Sequence, residues 1–579
     1  MNKKTIDTET QQMRILFLCH SFNSLTQRLY VELSESGHKV SVEFDVNDVV
    51  TEEAVGLFEP DLIIAPFLKR AIPESIWRNH TCLVVHPGIV GDRGPSALDW
   101  AILNDEKAWG VTVLQANAEM DAGDIWASVD FPMRKATKAS LYRNEVTEAA
   151  VSAVLSAVEK AASDIFKPQP LDYGKPDVRG ELRPLMRQDD RQVDWQHDDT
   201  ETVLRKIRCG DGFPGVKEHI GERQLFLYDA RPEGELKGEP GQLIARSGPA
   251  VCRATVDGAV WIGHMRDPSG DHPFKLPAVD QLSQEVEGLP EIEATPSSGY
   301  REIWYEEANG VGYLHFPFYN GAMGTDQCQR LRQAYINARQ RDTRVIVLMG
   351  GPDYWSNGMH LNLIEAAGSA ADESWSNINA IDDLALEIIT TDSHLTVSAL
   401  CGNAGAGGVF LARAADQVWA RRGVILNPHY KDMGNLHGSE YWSYLLPKYA
   451  GEENTRRITQ GRLPMGSAEA QALGLVDDRF DVAPEQFTEQ VMQEAEQLAR
   501  HAGFEQLLQQ KRLNRTEDEA VKNLAAYREE ELEKMHLNFY GFDPSYHVAR
   551  YNFVYKVPKS RTPLTIARHR RVTKLRNAS

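Results

Sequence analysis

The stretch VVHPGIVGDRGPSALDWAI, residues 84–102, leaves an apolar run at a histidine, crosses a glycine-rich loop interrupted by proline, and enters SALDWAI, the first turns of a helix. Strand, loop and helix in that order make an α/β unit. Ligands of such sheets collect beyond the carboxyl ends of strands, and His86 stands at such an end. Upstream segments fit the same sheet. RILFLCH is a short apolar run, SFNSLTQRLYVELSESG has helical spacing with a glycine stop, and HKVSVEFDV alternates. DLIIAP and CLVVH read as buried strands, so this half is an open, largely parallel α/β sheet. EVTEAAVSAVLSAVEKAASDIF (145–166) is an amphipathic helix.

A second titratable group follows His86. After the strand GVTVLQA, the stretch AEMDAGDIW places Asp121 in a turn with Gly123. A carboxylate beside an imidazole orients it and favours its charged form, so the pair could manage a proton during acyl transfer.

Composition bounds the rest. A chain of 579 residues holds about three or four domains, and 42% hydrophobic residues can fill sizeable cores. No apolar run is long enough to cross a bilayer, and MNKKTIDTETQQ lacks the hydrophobic core of a signal peptide. The six cysteines are scattered without a CxxC, which fits a reduced, cytoplasmic setting and argues against disulfides or thiolate zinc. No ligand-spaced histidine set appears, so no metal is expected. A net charge of −20 disfavours nucleic acid as a partner. The exception is KVPKSRTPLTIARHRRVTKLRNAS (556–579), a basic tail suited to solvent, a phosphate or an acidic partner.

Beyond residue 180 the pattern changes to short alternating strands, QLFLYDA, GQLIARS and AVCRATVDGAVWIGHM, which suggest a small β-barrel-like module. PEIEATPSSG reads as a linker. From residue 300 a new unit begins with VGYLHFPF, a helix over 325–340 and the strand RVIVLMG, and the end over 485–540 is helical and charged. The expected domains are 1–175, 176–285, a linker 286–299, 300–490, and a helical region 491–579 with the basic tail.

PDLIIAPFLKRAIP, VVHPGIVGDRG and GVTVLQANAEMDAGDIW, in this order, resemble the folate-dependent formyltransferases over residues 13–165. The module at 180–280, with IRCGDGFPGV and VDGAVWIGHM, resembles the C-terminal domain of the tRNA formyltransferases. The resemblance implies 10-formyltetrahydrofolate as formyl donor, with His86 and Asp121 at the formyl carbon. It also implies a pterin pocket in the loop of Pro66, Phe67, Leu68, Lys69, Arg70, Ala71 and Ile72. The family's asparagine, two residues before the histidine, is Val84 here. That removes an amide donor to the formyl oxygen, worth about 3 kcal/mol in comparable sites. His86 itself or Asn23 could supply the missing hydrogen bond.

VLMGGPDYWSNGMHLNLIEAA, LCGNAGAGGVFLARAAD and GRLPMGSAEAQALGLVDD resemble the crotonase (enoyl-CoA hydratase/isomerase) superfamily over about 300–490, which implies a ββα spiral and coenzyme A. Gly358 and Met359 stand where a loop enters a helix, and Gly407 and Gly408 let a second backbone approach closely. The resemblance implies that the amides of Met359 and Gly407 hold a thioester oxygen. The two hydratase glutamates are replaced, one by Phe410 and the other by His429 or Tyr430. Water addition is therefore disfavoured, and His429, Tyr430, His437 and Glu440 remain as a different polar set, with Tyr430 and Glu440 the expected catalytic pair.

The order of the two halves is similar to that of a family of NiFe-hydrogenase maturation proteins. This implies formyl transfer to CoA and then splitting of formyl-CoA into carbon monoxide and CoA, with docking to the hydrogenase large subunit or to other maturation proteins. The competing expectations are a formyl-CoA hydrolase or another acyl-CoA enzyme, and a non-catalytic assembly factor that binds folate and CoA.

Overall fold

A computed structural model describes residues 12–571. The reading of the N-terminal stretch 1–11 and of the last part of the basic tail, 572–579, lies outside the described residues. The chain forms two compact units, one of residues 12–192, 205–214 and 559–571, the other of 193–204 and 215–558. Among the described residues no helix is long and apolar enough to cross a membrane, and none of the six cysteines forms a disulfide.

The first unit is built on a six-stranded sheet. Its strands are β1 (Arg14–Cys19), β2 (Lys39–Phe44), β3 (Leu62–Phe67), β4 (Cys82–His86), β5 (Ala108–Gln115) and β6 (Ile125–Pro132), in the order β2-β1-β3-β4-β5-β6. The first four lie parallel and β5 and β6 run antiparallel. The apolar runs of β1 and β3 are buried almost throughout, as expected for parallel strands covered on both faces. Asn23 caps the helix Ser24–Glu35 by accepting from the amide of Thr26. The helix Thr147–Ala161 packs its alanine and valine stripe on β5 and β6, and it is entered through a π-turn, Tyr142–Val146. The hand of pairing changes between β4 and β5, so His86 ends the last parallel strand.

Strand β2 is an edge, and the chain's own end covers it. The amide of Val42 donates to Ile566 O at 3.1 Å and that of Phe44 to Thr562 Oγ1 at 2.7 Å. Glu43, fully buried, takes His569 Nε2 at 2.8 Å and Arg570 Nε at 2.7 Å, and also the hydroxyl of Thr562. The described part of the basic tail thus folds back on a buried acid of its own unit.

The second unit begins with an antiparallel sheet of β7 (Val216–Ile220), β8 (Arg223–Glu233), β9 (Leu243–Ser247), β10 (Ala250–Ala254) and β11 (Ala259–Arg266), ordered β7-β8-β11-β10-β9, with β12 (Leu276–Pro277) beside β11. The barrel-like expectation resolves into an open sheet: β7 and β9 are its two ends and do not pair. Residues 290–292 run beside β9 through Arg246.

The expected ββα spiral follows. Strands β13 (Trp304–Ala308), β14 (Val311–His315), β15 (Val345–Gly350), β17 (Leu395–Leu400), β19 (Gln417–Arg421) and β22 (Asp478–Phe480) form one sheet, parallel from β14 onward. Strands β16 (Tyr354–Ser356), β18 (Asn403–Gly405), β20 (Ile425–Asn427) and β21 (Met465–Gly466) form the other. From β15 to β20 successive strands alternate between the two sheets. Helices Pro484–Ala499, Phe504–Val521, Leu524–Tyr540 and Ser545–Val554 complete the unit.

Candidate functional site

Among the described residues, the site residues expected from the sequence gather in two places, one in each unit. The first surrounds His86. Pro87 and Gly88 turn the chain out of β4, and the turn is pegged by Trp109 Nε1 on Pro87 O at 2.9 Å and Thr112 Oγ1 on Gly88 O at 2.8 Å. His86 is buried, and its Nε2 lies 2.9 Å from Asp92 Oδ2. Asp121 adopts φ +53°, an uncommon conformation for a residue with a side chain. This turn presents Oδ2 to the amide of Gly94 at 3.2 Å and to His86 Nδ1 at 3.6 Å, beyond a hydrogen bond. The structure therefore brings His86 and Asp121 together and adds a carboxylate, Asp92, that the sequence reading passed over.

Val84 lies two residues before His86 on the same strand, so both side chains leave one face of the sheet. Asn23 is committed as a helix cap: its Oδ1 accepts from the Thr26 amide and its Nδ2 donates to Tyr142 Oη at 3.4 Å. Tyr142, also missed in the sequence, meets the ring of Phe67 edge-on at 6.3 Å, and burial pushes its hydroxyl up to about 12. In the 66–72 loop Pro66 and Ile72 are buried, Phe67 and Leu68 are half-buried, and Lys69, Arg70 and Ala71 are exposed. Arg70 pairs with Asp48 at 2.7 Å.

The second cluster is built where β16 and β18 end. Met323 bridges to the 358–360 backbone through the Gly358 carbonyl and the His360 amide, so the Met359 amide stays out of that pair. Gly358 adopts φ +73°, and a Cβ there would lie 3.5 Å from Gly407 N, so the two loop segments are neighbours. Gly407 opens the helix Gly407–Arg413, where first-turn amides have no intrahelical acceptor. A Cβ on Gly408 would fall 2.2 Å from Ser356 O, and one on Gly407 only 1.9 Å from Glu440 Oε1.

Glu440 is buried at φ +60° and accepts from the hydroxyl of Tyr430 at 2.5 Å. The Tyr430 ring stacks on Phe410 at 5.4 Å. Two further buried acids stand behind this pair. Asp382 accepts from the Glu440 amide at 2.8 Å and from Ser439 Oγ at 2.8 Å. Glu531, from the helix Leu524–Tyr540, accepts from the amides of Tyr441 and Ser443 and from Ser439 Oγ. Burial, reinforced by the repulsion of Asp382, pushes Glu440 and Glu531 up to about 8. Burial also lifts Asp382 to about 6 and Tyr430 well above the usual phenol range. Arg528, 3.8 Å from Asp382 and 2.7 Å from Asp383, is the cation beside them. His437 instead packs on Trp442, and burial lowers both His429 and His437.

Three family matches cover the chain: formyl transferase over residues 34–158, the formyl transferase C-terminal domain over 185–272, and enoyl-CoA hydratase/isomerase over 307–540. Hydrogenase maturation factor HoxX of Bradyrhizobium diazoefficiens is 58% identical over 558 residues, spanning 96% of this chain and 97% of that protein. The crystal structure of HypX from Aquifex aeolicus in complex with tetrahydrofolic acid is 50% identical. It superposes with a TM-score of 0.93 over 97% of this chain and 99% of that one. A methionyl-tRNA formyltransferase of Marinobacter nauticus is 24% identical over 235 residues, 38% of this chain and 70% of that protein.

Proposed function

The chain belongs to the HypX/HoxX family of hydrogenase maturation factors, with a formyltransferase and a crotonase domain, and from that membership we propose that it makes carbon monoxide for a NiFe hydrogenase. It takes formyl from 10-formyltetrahydrofolate onto CoA and splits the resulting formyl-CoA. The observation that carries this reading is the Tyr430–Glu440 pair beside the Gly358–Met359 and Gly407 backbone, where the hydratase glutamates are replaced. A hydratase uses such a backbone to hold a thioester oxygen while carboxylates place water. Here the carboxylate is backed by two other acids and a tyrosine, and its neighbour is Phe410. Tetrahydrofolic acid in the crystals of the Aquifex aeolicus relative supports folate as the ligand of the first unit.

In the first step His86 and Asp121 flank the formyl group. The CoA sulfur bonds to the formyl carbon, the carbon–nitrogen bond breaks with its pair going to folate, and the thiol proton ends on that nitrogen. In the second step the amides of Met359 and Gly407 orient the thioester oxygen. The Tyr430–Glu440 pair accepts the formyl hydrogen as a proton, and the carbon–hydrogen pair stays on carbon as carbon monoxide forms. The carbon–sulfur pair leaves with sulfur, which recovers the proton. No water or redox reagent is consumed, and the fully buried Phe410 keeps an apolar wall against hydrolysis.

The reading is tested by following folate. Purified protein given 10-formyltetrahydrofolate should release tetrahydrofolate only when CoA is added. Equal release without CoA contradicts the proposal.

A further inference from the structure

We propose that Asp92 is a positioning residue for formyl transfer: its carboxylate holds Nε2 of His86, fixes the ring as the Nε2–H tautomer, and leaves Nδ1 as the nitrogen that moves the proton. The inference deepens, and rests on, the formyl-transfer reading of the first unit.

The two ring nitrogens stand in different surroundings. Nε2 is within hydrogen-bond distance of Asp92 Oδ2 at 2.9 Å, and Asp92 is 1% exposed. Nδ1 faces Asp121 Oδ2 across 3.6 Å, a gap too long for a hydrogen bond. Which nitrogen of a neutral histidine carries the proton is set by the acceptor its partner nitrogen meets, and a carboxylate can only accept when ionised. The proton of a neutral His86 therefore belongs on Nε2, and the lone pair belongs on Nδ1.

The chain is built around this contact. A Cβ on Gly88 would lie 2.4 Å from His86 Nε2 and 2.6 Å from Asp92 Oδ2, so only glycine leaves the pair intact. Segment 180–183 closes over the loop: Gly180 N donates to Val90 O, and Arg183 N to Arg93 O. It brings the Arg183 guanidinium to 3.9 Å from Asp92 Oδ1, beside the Trp109 ring. Arg183 is thus a half-buried cation beside a buried carboxylate.

The chemistry follows. Nδ1 takes the proton of the attacking thiol as sulfur bonds to the formyl carbon. The carbon–nitrogen pair moves to the folate nitrogen, and Nδ1 returns the proton there. Between these events the imidazolium has a carboxylate at each nitrogen, Asp92 and Asp121. A carboxylate on one nitrogen and the working proton on the other is the division of labour of an Asp–His pair in acyl transfer.

The test substitutes Asp92→Asn, nearly the same in shape. An amide can donate to Nε2 and so favours the opposite tautomer, a change that costs about 10⁴ in kcat in a serine protease. The expected result is a fall of about 10²–10⁴ in kcat for CoA-dependent deformylation of 10-formyltetrahydrofolate, with KM for the folate unchanged. The ¹⁵N shifts of His86, assigned by its loss in His86→Gln, should report a protonated Nε2 in the wild-type neutral ring and a protonated Nδ1 in Asp92→Asn. A wild-type neutral ring protonated at Nδ1 overturns the proposal, as does a variant with unchanged kcat. Wild-type protein with the expected shifts but no formyl transfer overturns the formyl-transfer reading instead.

Discussion

The hydroxyl of Tyr430 donates to Glu440 Oε2 at 2.5 Å while the other oxygen of Glu440 crowds the Cα of Gly407, so the pair proposed to handle the proton and the backbone proposed to hold the thioester are one piece of structure. Tyr430→Phe keeps the ring on Phe410 and removes only the hydroxyl. Carbon monoxide output should fall about 10²–10⁴-fold, the usual effect of losing a proton-transfer group. Formyl-CoA, or formate from its hydrolysis, should accumulate on quenched-flow analysis at an unchanged rate of folate deformylation.

Gly407→Ala tests the same relationship from the backbone side. The added carbon would lie 1.9 Å from Glu440 Oε1 and 2.5 Å from its Cδ, so the carboxyl group must swing away from Tyr430. Carbon monoxide release should drop by about 10²-fold or more while formyl transfer continues. Initial rates of the two half-reactions measure both effects.

The pH dependence of the second step should follow the acid cluster. Burial and the charge of Asp382 hold Glu440 up at about 8, so its carboxylate form is gained only as pH rises through that region. If that form accepts the formyl proton, the rate climbs with pH there. Asp382→Asn removes a like charge, favours the ionised Glu440, and should move the inflection to lower pH. A profile unmoved by the substitution contradicts this electrostatic account.

Much of this was open to reading and some was not, for definite reasons. His86 stands out because Pro87 and Gly88 cut a buried strand directly after it. Asp92 lies in the same quoted stretch but looks like a solvated turn acid, since what buries it is segment 180–183, about ninety positions on. Glu440 was accessible through its crotonase segment. Asp382 and Glu531 were not: they lie on two helices distant in sequence from the 439–443 turn, and the fold alone brings both to the hydroxyl of Ser439. Alternation identified the β module, but alternation carries no information about whether the sheet closes.

The chain's end should matter for the stability of the first unit. Burial alone would raise the Glu43 carboxyl, but bonds from His569, Thr562 and Arg570 outweigh this and hold it below the usual range. A depressed carboxylate stabilises the fold above its unfolded value, about 4.3, and loses that contribution as pH falls through the lower folded value. Glu43→Gln should cost ~3–5 kcal/mol at neutral pH, as expected for a broken buried ion pair, and should flatten the acid limb of the stability curve. Urea unfolding across pH measures both. A variant as stable as wild type contradicts the assignment.

His86→Ala and Asp121→Asn should each abolish formyl transfer while tetrahydrofolate still binds, since these groups act on charge that develops during the reaction. Isothermal titration with tetrahydrofolate beside a deformylation assay separates the two effects. Equal loss of binding and turnover would make the residues structural.

The most direct measurement of the central claim is of the gas. Purified protein is given 10-formyltetrahydrofolate labelled with ¹³C in the formyl group, together with CoA, and the headspace is passed to deoxyhaemoglobin. The account predicts ¹³C-labelled carbonmonoxyhaemoglobin in step with tetrahydrofolate, requiring CoA and lost in Tyr430→Phe. Labelled formate appearing in place of carbon monoxide, with tetrahydrofolate released at full rate, would contradict it.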